Sequence, residues 1–200
     1  MKCFIIMRDR LIWPKKLAEQ CQNRNLEVFL IDNNSTYPPL IEWYKTCEHK
    51  IWFMGKNRTS WNELYNIITT SIQDRYFIIT DPDLDIGLVP EDFIIKLMEG
   101  LYYGNKCGLS LEIDDLPKSD YTDRVIAHEQ RFWQEKKGEF YKADTSTTFA
   151  LYDREREFSL DAVRTPKPYT AKHLSWYLTE MDEEETYYQE HSEHTGWKPL

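Results

Sequence analysis

"FIITDPDLDIG", residues 77–87, decides how this chain is read. A continuous apolar run ends in three acids, Asp81, Asp83 and Asp85, with Pro82 between the first two. An unbroken apolar run is what a strand buried on both faces requires, and such strands belong to parallel sheets flanked by helices. Ligands in those sheets sit beyond the carboxyl ends of the strands, so the acids fall where a site is expected.

The surrounding segments fit that frame. "KCFIIMR" (2–8), "LEVFLID" (26–32), "KIWFMG" (50–55) and "RYFIIT" (75–80) read as strands. Between them, "WPKKLAEQCQNRN" (13–25) and "YPPLIEWYKTC" (37–47) enter helices through prolines, which suit the first turn. Trp61, Leu64, Tyr65, Ile68 and Ile72 recur at helical spacing for a third helix. Strand–helix alternation of this kind predicts an α/β domain with a mainly parallel, mixed sheet flanked by helices. It places "RDR" (8–10), "DNNST" (32–36), "GKNRTS" (55–60) and "DPDLD" (81–85) on one rim. Beyond them come a helix through Ile94, Leu97, Met98 and Leu101, an alternating strand "CGLSLEI" (107–113) and a loop "DDLPKSDYTD" (114–123). A helix over 125–135 and a strand "TTFALY" (147–152) follow, with "EEETYYQEHSEH" (183–194) expected as a solvated terminal helix.

Composition narrows the function. The chain has 200 residues, 41% hydrophobic and 14% aromatic, which describes a folded globule. A net charge of −9 argues against a general nucleic-acid or anionic-membrane binder. Seven of the acids lie in residues 180–200 against one lysine, so the body is near neutral and its charge does not exclude an anionic substrate. Cys3, Cys21, Cys47 and Cys107 have no metal-binding spacing and read as reduced, mostly buried thiols. No apolar run reaches the roughly 18 residues of a membrane span and no leader precedes the first strand. A cytoplasmic protein is expected, with the sequons at Asn33, Asn34 and Asn57 unused.

Three chemistries compete for the acids. A calcium loop of EF-hand type needs glycine at its sixth position and glutamate at its twelfth, where this chain has Ile86 and Asp92. A metal-dependent phosphatase would use Asp81 as nucleophile, but Leu84 stands where Thr or Val usually follows. The third is a divalent-metal clamp for a nucleoside diphosphate, with Asp83 as first ligand, Asp81 beside it and Asp85 a further ligand. Arg8, Arg10 and Arg58 share the rim and can meet base or phosphate.

"FIITDPDLDI", "IDNNSTYPPLIEWY", "DTSTTFALYDR" and "VRTPKPYTAKHLSWY" together resemble GT-A fold glycosyltransferases, in particular small family 2-like nucleotide-sugar transferases of viral and bacterial type. The likeness covers roughly residues 1–178. It implies one GT-A domain, nucleotide-binding over about 1–104 and acceptor-side over about 105–178, followed by an acidic tail at 179–200. It implies Mn²⁺ or Mg²⁺, a UDP-sugar donor and transfer of the sugar to a glycan or other hydroxyl, with inversion. By the same likeness Asp32 contacts the nucleoside. Asp144, with Asp115 as runner-up and Asp114 beside it, is the base that an inverting transfer needs. His173 adds a metal ligand or diphosphate contact, and Arg164 and Lys172 are phosphate candidates. Trp133 and Trp176 are candidates to stack on a sugar, and His191 and His194 are candidates for adventitious metal binding. A retaining enzyme would need no such base. The alternative from another class is a nucleotide-sugar or glycan-binding module without turnover on the same scaffold.

Overall fold

The computed structural model describes residues 1–143 and 148–191. In chain order, the first half holds β1 (Lys2–Met7), α1 (Ile12–Asn23), β2 (Glu27–Asp32), α2 (Pro38–Tyr44), β3 (Lys50–Phe53), α3 (Trp61–Ser71), β4 (Tyr76–Thr80), β5 (Leu84–Asp85) and α4 (Phe93–Gly100). The second half holds β6 (Lys106–Gly108), β7 (Ser110–Leu111), α5 (Asp120–Glu129), β8 (Lys136–Lys137), β9 (Phe140–Lys142), β10 (Ala150–Asp153), β11 (Ala162–Arg164), β12 (Thr170–His173) and α6 (Glu183–His191). Short 3₁₀ turns lie at Gln130–Trp133 and Leu174–Tyr177.

Among the described residues nine strands form one sheet in the order β3-β2-β1-β4-β10-β6-β11-β9-β8. The expected parallel half is there: β3, β2, β1 and β4 run the same way. β10 then inserts antiparallel between β4 and β6, which makes the sheet mixed. Side chains of β1 alternate between two cores. Cys3, Ile5 and Met7 pack with Leu17, Ala18 and Cys21 of α1, while Phe4 and Ile6 pack with Leu64, Tyr65 and Ile68 of α3. Both faces are therefore covered, as the continuous apolar strands require. Phe77 is fully buried in the second core, stacked 5.6 Å from Tyr152 and edge-on to Phe4.

All four cysteines are free, and Cys3, Cys21 and Cys107 are buried. Burial, with Cys21 beside it, pushes the Cys3 thiol well up, so it behaves as a small apolar side chain.

Two boundaries differ from expectation for local reasons. α5 begins five residues earlier than the apolar spacing suggests, because Ser119 and Thr122 form a reciprocal capping box. It also ends earlier, at Glu129, and passes into a 3₁₀ turn. "CGLSLEI" is two strands rather than one. Ser110 leaves the large sheet because its N–H donates to Thr165 Oγ1 (3.1 Å) and its hydroxyl to the Thr165 carbonyl (2.5 Å). β7 therefore joins β12 and β5 in a small second sheet.

At the far end of β10, Asp153 takes Arg75 Nε and Nη2 at 3.2 and 3.1 Å, and its side chain is buried. Burial pushes its carboxyl up, but Arg75, the Glu155 N–H and Arg156 outweigh that and hold it below the ordinary value. A depressed carboxylate stabilises the fold above its unfolded pKa of about 3.9, and that contribution is lost as pH falls through the folded value. The melting temperature should therefore drop more steeply below about pH 4 in wild type than in Asp153→Asn, with the variant less stable at neutral pH. Parallel acid limbs would show that the pair contributes nothing.

Candidate active site

The carboxyl ends of the parallel strands carry the polar residues that the sequence places on the rim. After β1, Asp9 is fully buried with a positive φ of 51°. Its Oδ1 accepts from the N–H groups of Thr36 and Tyr37, and its own N–H donates to Ser35 Oγ. One buried carboxylate thus fixes the loop after β2. Asp32, at the end of β2, accepts from the Ser35 N–H and from the Tyr44 hydroxyl at 2.7 Å. Asn33 ties the next loop in, donating to Asn57 Oδ1 and the Arg58 carbonyl and accepting from the Arg58 N–H.

Asp83, the first of the expected metal ligands, is 4% exposed. It sits in the turn between β4 and β5. β12 pairs antiparallel with β5, setting His173 opposite Leu84, and the Leu174 N–H donates to the Asp83 carbonyl at 2.7 Å. His173 Nδ1 consequently lies 3.5 Å from Asp83 Oδ2 and 2.7 Å from Ser175 Oγ. Its ring stacks on Trp176 at 4.6 Å and 8°, so the imidazole plane is fixed. Arg10 Nη1 stands 3.5 Å from the same Asp83 oxygen.

Arg10 is itself held from the other side. α6 presents Glu185, whose carboxylate takes Arg10 Nε at 3.0 Å and Nη2 at 2.7 and 2.9 Å. Trp13 and Tyr188 lie over the guanidinium, at 4.8 and 3.7 Å. The neighbouring Glu184 accepts from the N–H groups of Leu11 and Ile12. α1 has no side-chain cap of its own, so this carboxylate serves its first turn. Expected as solvated, α6 is instead anchored by two buried glutamates, because an arginine and free helix amides give their charges partners.

The other expected site residues fall as follows. Asp81 follows β4 at the same rim, partly exposed, and its charge is felt at the Tyr152 hydroxyl. Asp85 is not with Asp83: β5 turns it towards α1, where Lys16 (2.8 Å), Gln20 (2.6 Å) and the Gly87 N–H take its oxygens. Arg8 reaches the His191 carbonyl, and Arg58 pairs with Glu63. Arg164 is committed to Glu129 at 2.6 Å. Asp115 accepts from Lys172 and Tyr177, and Asp114 pairs with Lys167. Burial pushes the Asp115 carboxyl up, but Lys172 and Tyr177 outweigh it and hold it below the usual range, which makes it a weak proton acceptor at neutral pH. Trp176 is buried against His173 rather than open to a sugar, and Trp133 packs edge-on to Tyr141. His191 stacks on Tyr187. Asp144 and His194 lie outside the described residues.

Sequence reasoning missed Glu184, Glu185 and Tyr121 as rim residues. The Ser119 cap was the available signal for Tyr121, since it carries α5 back through that position.

No family model and no curated protein matches the chain. Among solved structures, it is similar to the mannosyltransferase PcManGT from Pyrobaculum calidifontis, in complex with GDP-Man and Mn²⁺. The TM-score is 0.54 at 13% identity, over 87% of this chain and 56% of that one. It is also similar to a TarS fragment from S. aureus, with a TM-score of 0.51 at 8% identity over 87% of this chain and 60% of that one. The fold is of the GT-A type. The chain spans less than two thirds of either protein, and at such identities the likeness is one of fold.

Among the described residues, no group of three or more His, Cys, Asp or Glu forms a metal cluster. Asp83 and His173 are two converging donors, a carboxylate and an imidazole. That set suits Mn²⁺, and octahedral ions at diphosphate sites usually take one or two protein ligands with phosphate and water completing the shell. The residues present fit such an ion. No helix among the described residues is long and apolar enough to cross a membrane.

Proposed function

We propose that this chain is a metal-dependent glycosyltransferase that moves a sugar from a nucleoside-diphosphate donor, UDP-linked by preference, to an acceptor hydroxyl of a glycan. The observation that carries this reading is the meeting of Asp83 and His173 at the carboxyl end of β4, in a fold of the GT-A type. Asp83 and His173 would hold the metal, with Asp81 beside them. A bound Mn²⁺ or Mg²⁺ would supply Lewis-acid stabilisation to the departing diphosphate. Asp32 would receive the nucleoside, and the loop bound by Asp9 and Asn33 would shape its pocket.

For an inverting transfer, the acceptor hydroxyl would pass its proton to a carboxylate on the face opposite the leaving group, and Asp144 is the residue proposed. Asp115 is second to it, because Lys172 and Tyr177 already occupy its oxygens. In this reading residues 1–104 bind the donor and 105–178 receive the acceptor. PcManGT holds GDP-Man with Mn²⁺, which makes GDP-mannose the second donor to try.

Calorimetric titration with UDP, GDP and dTDP, with and without Mn²⁺, tests it. Binding of one nucleotide that requires Mn²⁺, followed by turnover of its sugar conjugate, is expected. Metal-dependent binding without turnover of any conjugate would turn the reading to a binding module. A folded protein that binds none of the three would overturn both.

A further inference from the structure

Two adjacent carboxylates of α6 occupy two anion-binding features side by side. Glu185 fills the Arg10 fork, and Glu184 fills the amides of Leu11 and Ile12 at the start of α1. Each feature also suits a phosphate group. An arginine fork takes phosphate bidentately, as it takes carboxylate, and a helix N-terminus offers directed N–H groups and a favourable dipole. α1 is twelve residues long, so its dipole is well developed.

A third group points to a ligand that the free protein lacks. The Tyr121 hydroxyl, on α5, is buried in a residue 5% exposed, and it has no hydrogen-bond partner among the described residues. Burial first, then the charges of Asp83 and Glu185, push that hydroxyl up to about 12, so it remains a proton donor. The charges that act on it are those of Asp83, Glu185, Arg10 and Arg124. Buried hydroxyls are ordinarily satisfied, and an unsatisfied one is a place for a ligand oxygen.

The hold of α6 on the body is of a kind that an anion can compete for. Its buried residues are Glu184 and Glu185. Beyond them, Tyr187 packs on the first core, meets the Tyr37 ring at 5.0 Å and donates to Thr36 Oγ1, Tyr188 lies 3.7 Å over the Arg10 guanidinium, and Arg8 donates to the His191 carbonyl. The two glutamate contacts are the part of this hold for which a phosphate can compete, since an arginine fork takes either anion.

We infer that Glu184 and Glu185 stand in for the two phosphates of the donor, and that Arg10, the Leu11 and Ile12 amides and Tyr121 are the diphosphate ligands. Binding of the donor then displaces α6 from the rim, so the helix is a built-in competitor for the site. The inference rests on the nucleotide-sugar reading for the identity of the diphosphate, but its chemistry is that of the diphosphate alone.

The test therefore uses inorganic pyrophosphate as well as UDP, on the full chain. Hydrogen exchange of wild type should show α6 amides losing protection when pyrophosphate is added, with β1 and β4 unchanged. Glu184→Gln/Glu185→Gln should bind pyrophosphate about tenfold more tightly than wild type, and Tyr121→Phe several-fold more weakly without a fall in melting temperature. α6 protection that persists at saturating pyrophosphate or UDP would overturn the inference even if the glutamine variant fails to fold. So would weaker binding by a folded glutamine variant, which would make the glutamates supports for Arg10. Pyrophosphate that releases α6 in a protein that transfers no sugar would keep this inference and remove the transferase reading. Sugar transfer with α6 still protected would do the reverse.

Discussion

Asp83→Ala should lose metal-dependent nucleotide binding by more than about 100-fold. Changes to residues that merely orient metal ligands already cost about 10–100-fold in affinity, so removing a ligand should cost at least as much. The loss should be confined to the metal-dependent part, because Arg10 packs on Trp13 and in the free protein pairs with Glu185, so its place does not depend on Asp83. Asp85→Ala is the control. Its oxygens are held by Lys16 and Gln20 on α1, so that variant should lower stability and leave the Mn²⁺ requirement as it was. Calorimetry of both variants against UDP with and without Mn²⁺ reads the difference. Equal loss in the two variants would mean that the whole acidic turn acts as one site, contrary to the geometry. No loss in Asp83→Ala would remove the metal from the mechanism.

Glu129→Ala should destabilise the fold by about 3–5 kcal/mol, since it leaves a buried guanidinium without its partner. Arg164 and Glu129 are 5% and 4% exposed, and their 2.6 Å bond joins β11 to the end of α5. Phe132 lies 4.6 Å over the guanidinium, so water cannot easily replace the carboxylate on that side. For a chain of this size the loss corresponds to a fall in melting temperature of roughly 6–20 °C. Replacing both partners, Arg164→Met with Glu129→Leu, should restore most of the stability, because the desolvation cost leaves with the charges. Denaturant melts measure both. The double variant also asks whether Arg164 meets the donor: unchanged nucleotide affinity is expected of a purely structural pair, and a loss would return Arg164 to the phosphate candidates.

The parallel half was legible because each of its signals is local. Runs such as "KCFIIMR" and "RYFIIT" contain their own burial pattern, and the prolines that open α2 and Ser60 before α3 mark helix starts within a few residues. Asp83 and His173 were legible as residue types, the second through a family resemblance. What brings them together was not, because β5 is two residues long and β12 four, too short for any periodicity. The role of α6 was hidden for a related reason. "EEETYYQEH" has no apolar face, so burial of its glutamates depends on Arg10 and on the uncapped start of α1, which lie far away in sequence. The parting of Asp83 from Asp85 likewise depends on Lys16 and Gln20, which compete for the second acid.

The pairing of β12 with β5 has a consequence for how the protein is made. β1 to β4 are synthesised before the rest of the sheet; β1–β2 and β2–β3 join consecutive strands, the kind of contact that closes early, while β1–β4 waits for residues 77–80. His173 reaches Asp83 only after nearly the whole described chain has been synthesised. A nascent polypeptide released before β12 would therefore hold most strands of the large sheet without the aspartate–histidine pair.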